Sequence, residues 1–231
     1  MKKNMMLRTA SVLLIAVLMS TCAISGTFAK YVTSDFAEDS ARVAKWGVTV
    51  TGTGEYFADA YETHDGVYTG AQSVITSGAA GDALVAPGTF KSDVATIVIE
   101  GKPEVATRVT MIGDVEIGDK WVVDTEFYCP IIVTIKDKAG NVKAEINGLT
   151  YSDADAFETA IETYINNFSQ DYDPNVDLSA EDNSVISISW SWPFSTSDAN
   201  DVKDTALGDA ADAGNAATIS IRVDCTVTQI D

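Results

Sequence analysis

Every second residue is β-branched, aromatic or otherwise apolar in run after run of this chain, and that period of two limits what it can fold into more than any other feature. The clearest runs are Ala44, Trp46, Val48 and Val50; Val105, Thr107, Val109 and Met111; Ile186, Ile188, Trp190 and Trp192; and a closing run from Thr218 to Ile230. Successive side chains of a strand point to opposite faces, so such runs bury one face of a sheet and wet the other. Val94 to Ile99, Trp121 to Asp124 and Phe127 to Ile135 read as further strands. Asp137-Lys138-Ala139-Gly140-Asn141 reads as a hairpin turn, because Gly and Asn tolerate positive φ. Many short strands without α/β alternation predict an all-β fold, a two-sheet jelly roll or β-sandwich. One helix interrupts the pattern over about 153–168: Phe157, Ile161, Tyr164 and Phe168 share a helical face, and Ser152 with Asp155 three residues on resembles a capping box. Tyr56 to Asp82 and Asn200 to Asn215 read as loops, with Asp198 to Asp204 a capped turn into a short helix ending near Gly214. No internal repeat is present, so 41–231 is expected to be a single domain.

The amino terminus reads as an export signal. Lys2, Lys3 and Arg8 precede an uncharged apolar run from Ala10 to Ala23, too short to span a bilayer comfortably. Small residues at Thr27 and Ala29 flank Phe28 and fit the pockets of a signal peptidase, which places cleavage between Ala29 and Lys30. A lipid-modified Cys22 and an uncleaved anchor helix are the competing readings. The expected division is therefore a signal peptide over 1–29, an amino-terminal segment over 30–40 and the domain over 41–231, with no membrane span after cleavage.

With 34 acidic against 15 basic side chains, the net charge is −19. A chain so charged lacks the basic face that binding nucleic acid requires, and it is repelled by anionic lipid. It suits a soluble protein working outside the cytoplasm.

Candidate chemistry is sparse. Removing Cys22 with the signal leaves Cys129 and Cys225, an even pair that in an exported protein permits one disulfide. Both lie on inward faces of predicted strands, so two separately buried thiols are the alternative. The single histidine, His64, stands beside a predicted turn; one imidazole cannot build a multi-histidine zinc site, and no G-x-S-x-G is present. Asp171, Asp173, Asn175 and Asp177 place oxygen ligands at alternate positions, as in a calcium loop. Val176 stands where such a loop needs Gly, and Asp182 replaces the bidentate Glu, so a solvated acidic loop is the alternative.

The exit Gly26-Thr27-Phe28-Ala29-Lys30-Tyr31, followed by Ala41-Arg42-Val43-Ala44-Lys45-Trp46-Gly47-Val48, resembles the TasA/camelysin group of Gram-positive exported proteins. Ala86-Pro87-Gly88-Thr89-Phe90 is similar to the Pro-Gly turn of that group. So are Trp190-Ser191-Trp192-Pro193-Phe194, Asp204-Thr205-Ala206-Leu207-Gly208 and the final Thr228-Gln229-Ile230-Asp231 at the end of the chain. The resemblance implies trimming by a SipW-type signal peptidase and a jelly-roll subunit of extracellular biofilm matrix fibres. In such fibres the freed amino-terminal segment completes the sheet of the next subunit by donor-strand addition. Lys30 to about Phe36 then forms the donor, with Tyr31, Val32 and Phe36 as apolar anchors. The implied partners are further copies of the chain, as a homopolymer, and a related matrix protein. Some relatives carry a metalloprotease label, for which this chain lacks the histidine ligands.

Three functions follow as expectations. The first is a secreted, non-enzymatic fibre subunit. The second is a monomeric surface adhesin whose Trp192 and Tyr172 stack on a glycan, although alternation turns Trp192 inward. The third is a secreted hydrolase dependent on His64.

Overall fold

The computed structural model describes residues 11–15, 42–54, 56–61, 75–79, 81–194 and 197–230. Val43–Asp231 is one compact unit and Met1–Arg42 another. In the latter, residues 11–15 are helical and exposed. Among the described residues no helix is long and apolar enough to cross a membrane. The signal cleavage point at Ala29 and Lys30, the donor anchors Tyr31, Val32 and Phe36, and His64 lie outside the described residues.

The fold is mostly antiparallel β. Its elements are β1 (Val48–Thr53), β2 (Ala60–Tyr61), β3 (Ile75–Thr76), β4 (Phe90–Gly101), β5 (Thr107–Ile117), β6 (Val122–Val123), β7 (Glu126–Phe127), β8 (Ile132–Asp137), β9 (Val142–Asn147), α1 (Ala154–Asn166), β10 (Ser169–Tyr172), β11 (Val185–Ser191), α2 (Asp198–Asp212) and β12 (Ile219–Gln229). A five-stranded sheet runs β1-β4-β11-β8-β9 and a three-stranded sheet runs β10-β5-β12, with two-stranded ribbons β2-β3 and β6-β7 beside them. The core draws on both larger sheets: Ile97, Ile99, Val133, Ile135, Ile188 and Trp190 from the first, and Val109, Met111, Val115 and Ile221 from the second. Strand β5 shows the alternation most cleanly, since every odd residue from Thr107 to Ile117 is buried. This is the period-two pattern of the sequence expressed as burial.

Local chemistry sets where these elements begin and end. Strand β1 starts at Val48 rather than Ala44, because Gly47 adopts φ +54° and Trp46 stays 39% exposed. Its partner Gly101 has φ +129°, and a Cβ there would stand 2.0 Å from the Gly47 carbonyl oxygen, so this corner requires glycine. Pro130, which has no N–H to give a ladder, lies in the gap dividing the expected run Phe127 to Ile135 into β7 and β8. The β8–β9 hairpin closes as expected, with Gly140 at φ +82°. The Asp137 carboxylate binds the turn from inside, accepting from the Ala139 N–H at 3.0 Å and the Asn141 N–H at 2.9 Å.

Two details of the helices correct the sequence reading. The N-cap of α1 is Asp153, whose carboxylate accepts from the Ala156 N–H at 2.8 Å, while Ser152 donates to that carboxylate. The buried stripe is Phe157, Ile161 and Ile165, and Tyr164 is left 38% exposed. The acidic stretch after Ser197 is a full helix, α2, capped by the Ser197 hydroxyl and followed by Gly214 at φ +83°. It packs through Leu207 and through Asp204, which accepts from the Tyr128 hydroxyl at 2.7 Å.

Candidate functional site: an open strand edge

Each sheet edge presents a row of backbone donors and acceptors, and how each row is satisfied distinguishes the edges of this molecule. In the three-stranded sheet, β10 covers β5 only from Thr107 to Thr110. Beyond that point α1 takes over. The Gly113 N–H donates to Asn166 Oδ1 at 2.8 Å, the Val115 N–H to Glu162 Oε1 at 3.0 Å, and the Ile117 N–H to Glu158 Oε1 at 2.5 Å. Acceptors four residues apart on a helix are spaced about 6.0 Å, and alternate N–H groups of a strand about 6.7 Å, so three rungs can be matched. Side chains thus close an edge that backbone leaves open. Packing agrees: an added Cβ at Gly113 would come within 3.0 Å of the Ile165 side chain.

The opposite edge has no such cover. Strand β12 pairs with β5 through eleven consecutive registers, from Ile219↔Ile117 to Gln229↔Thr107, without a bulge. It is the end strand of its sheet, and no described residue pairs with its other side. The usual devices that blunt an edge, proline, lysine or a bulge, are missing from it. Only Arg222 and Asp224, paired at 3.1 Å on the outer face, bring charge to it.

The inward face of β12 is correspondingly unfinished. Val223, Cys225 and Val227 are half-buried, whereas their neighbours across the pairing on β5, Met111 and Val109, are fully buried. Across the core, β1 lies close to β12. Val50 of β1 shares a face with Ile99 of β4. Ile99 is 1% exposed and Val50 is 37% exposed. These partly uncovered apolar side chains form a strip where β1 approaches the free edge of β12.

The other candidate residues are not gathered into a site. Asp171 forms a two-pronged ion pair with Arg108, at 2.6 and 2.7 Å, which holds its carboxyl below the usual range. Asp177 caps a short 3-10 turn, accepting from Ser179, and the Asn175 N–H donates to the Pro103 carbonyl at 2.7 Å. The expected calcium ligands Asp171, Asp173, Asn175 and Asp177 are thus not drawn together, because two of the three carboxylates are committed elsewhere. No group of three or more His, Cys, Asp or Glu side chains fit to hold a metal occurs among the described residues. Of the two readings of Cys129 and Cys225, the structure has separate free thiols rather than the disulfide. Cys129 is fully buried, its carbonyl oxygen facing Gly148, while Cys225 sits on β12 opposite Met111. Burial pushes the first thiol up to about 12 and the second to about 11, so neither is a nucleophile at neutral pH. Tyr172 and Trp192, the proposed glycan platforms, are 8% and 5% exposed and offer no ring face to solvent.

No protein-family model matches this chain, and no curated protein or solved structure matches it either.

Sequence reasoning missed the open edge, since alternation reports which face of a strand is buried and not which strand is outermost. A faint signal for the closed edge was present. Glu158, Glu162 and Asn166 each follow a buried residue of the α1 stripe by one position, a polar row flanking the apolar one.

Proposed function

We propose that this chain is a secreted structural subunit of an extracellular fibre, a jelly-roll or β-sandwich domain that polymerises head to tail by donor-strand addition. Trimming between Ala29 and Lys30 by a SipW-type signal peptidase releases the donor. The observation that carries this reading is the unblunted outer edge of β12 beside the uncovered Val50 of β1. A strand arriving there gains backbone pairing and buries apolar side chains in one step. Lys30 to Phe36 suits that place. Seven extended residues span about 23 Å, within the roughly 36 Å of an eleven-residue strand. Val32 and Phe36 fall on one face of such a strand, ready to cover the strip, with Tyr31 on the other. Donor and acceptor are different surfaces, so the contact does not close on itself and propagates as a filament. The polymer would form the matrix of a Gram-positive biofilm, alone or with a related matrix protein.

The test is to delete Lys30 to Phe36 and image the secreted protein by electron microscopy. Filaments should disappear while the monomer stays folded by circular dichroism. Filaments of unchanged abundance would refute the proposal.

A further inference from the structure

A cavity of about 470 Å³ lies between the two larger sheets at the end of the core bounded by the β8–β9 turn. Its apolar floor comes from both sheets: Ile135, Ile186 and Ile188 on one side, Met111 and Val223 on the other. The carboxyl end of α1 closes its flank with Ile165 and Phe168. The cavity is a cleft half open to solvent rather than a sealed void, so water or a ligand can reach its apolar walls. A pocket of this size with apolar walls and a few polar groups at its mouth has the make-up of a small-molecule site.

The mouth indicates the kind of molecule. Lys136, Asp137 and Lys143 line it, and Asp182 lies near Lys143. Lys143 is paired with Asp137 at 2.9 Å. These two cations and two carboxylates balance one another in a chain whose net charge is −19, so the rim offers no unmatched charge to an ion. Asn167, Asn183 and Gln170 also line it, with amides able both to donate and to accept, although the Gln170 amide already donates to the Asp171 carbonyl at 3.1 Å. Seven extended residues span about 23 Å, so the donor strand could place only one or two side chains in a space of about 470 Å³.

We infer that this cavity binds a small uncharged amphiphile, with its apolar body between the sheets and an alcohol, ester or amide head among the rim amides. This site shares Val223 with the inward face of β12, but the rest of its lining lies elsewhere, so its occupancy can be read on the unpolymerised chain.

The probe is 1-octanol, titrated into the secreted chain carrying ¹³C-labelled Ile and Met methyl groups. The methyl signals of Met111, Ile135, Ile186 and Ile188 should shift together and saturate, and octanoate should bind at least tenfold more weakly. Val223→Phe, which fills the cavity from the β12 side, should weaken octanol at least tenfold. Should that variant not fold, Asn183→Leu at the half-exposed rim should weaken octanol at least threefold while leaving the fold unchanged. The inference is overturned by any of four results: no saturable shift; equal binding of octanoate; binding unaffected by the folded variants; or contacts from the Tyr31 or Phe36 rings to these methyls, which would show the chain's own segment filling the space.

Discussion

If α1 closes the edge of β5 through three side-chain rungs, removing one rung should expose a single, nameable amide. Glu162→Ala takes away the acceptor of the Val115 N–H, the middle rung at 3.0 Å. A hydrogen bond to a charged acceptor contributes about 1.5–3 kcal/mol, and a buried donor left unpaired carries its desolvation cost. Glu162 is only half-buried, so the lower end applies and the expected loss is about 1.5 kcal/mol. That corresponds to roughly tenfold faster exchange at the Val115 amide through local opening. Gly113 and Ile117 keep their own acceptors, Asn166 and Glu158, and should change far less. Glu162→Gln retains an oxygen in the same place and should recover more than half of the loss. Amide exchange followed by NMR reads all three positions at once, and urea unfolding gives the global value with an unchanged m-value. A Val115 rate unaltered in a folded Glu162→Ala protein, or equal acceleration at every β5 amide, would refute the ladder.

Two further outcomes follow from ionisable groups. The Asp137 carboxyl is held well below the usual carboxylate range, first by the Asn141 side-chain amide and then by Lys143. A depressed folded-state value contributes stability that is complete above the unfolded value, near pH 4, and is lost as pH falls below it. The melting temperature of Asp137→Asn should therefore lie below the wild type at pH 7, and the gap should narrow below pH 4; a constant gap down to pH 3 removes the argument. For the cysteines, the secreted form should show no loss of two hydrogens by mass spectrometry. Both Cys129 and Cys225 should label after denaturation, with Cys129 silent in the native state; a mass two hydrogens short contradicts the free thiols.

Much of the sheet architecture was legible because burial and period coincide. Strands β5 and β12 each carry a single alternating face, and the sequence shows it, whereas the central strand β11 alternates in sequence but buries Ser187 and Ser189 as well. Legibility failed where something other than periodicity decided. In α1, Tyr164 and Ile165 both fall within the apolar stripe, and only the packing of Ile165 over Gly113 chooses between them. At the start of β1, the positive φ of Gly47 ended a run whose alternation looked continuous back to Ala44. The four oxygen residues from Asp171 to Asp177 had ligand-like spacing, but spacing says nothing of Arg108, which reaches Asp171 from a strand 63 residues earlier. The candidate site was least visible of all, since an outermost strand is defined by the neighbour it lacks.

A strand can be removed from an edge only by losing a whole segment of chain, whereas the cover over Gly113, Val115 and Ile117 is held in three separate codons of one helix. Substituting those codons would uncap a second row of amides on the far side of the same sheet without touching any strand. On the proposed reading, a subunit that joins neighbours along one line would then gain a sideways surface. The three rungs therefore mark the short mutational distance between a thread and a layer.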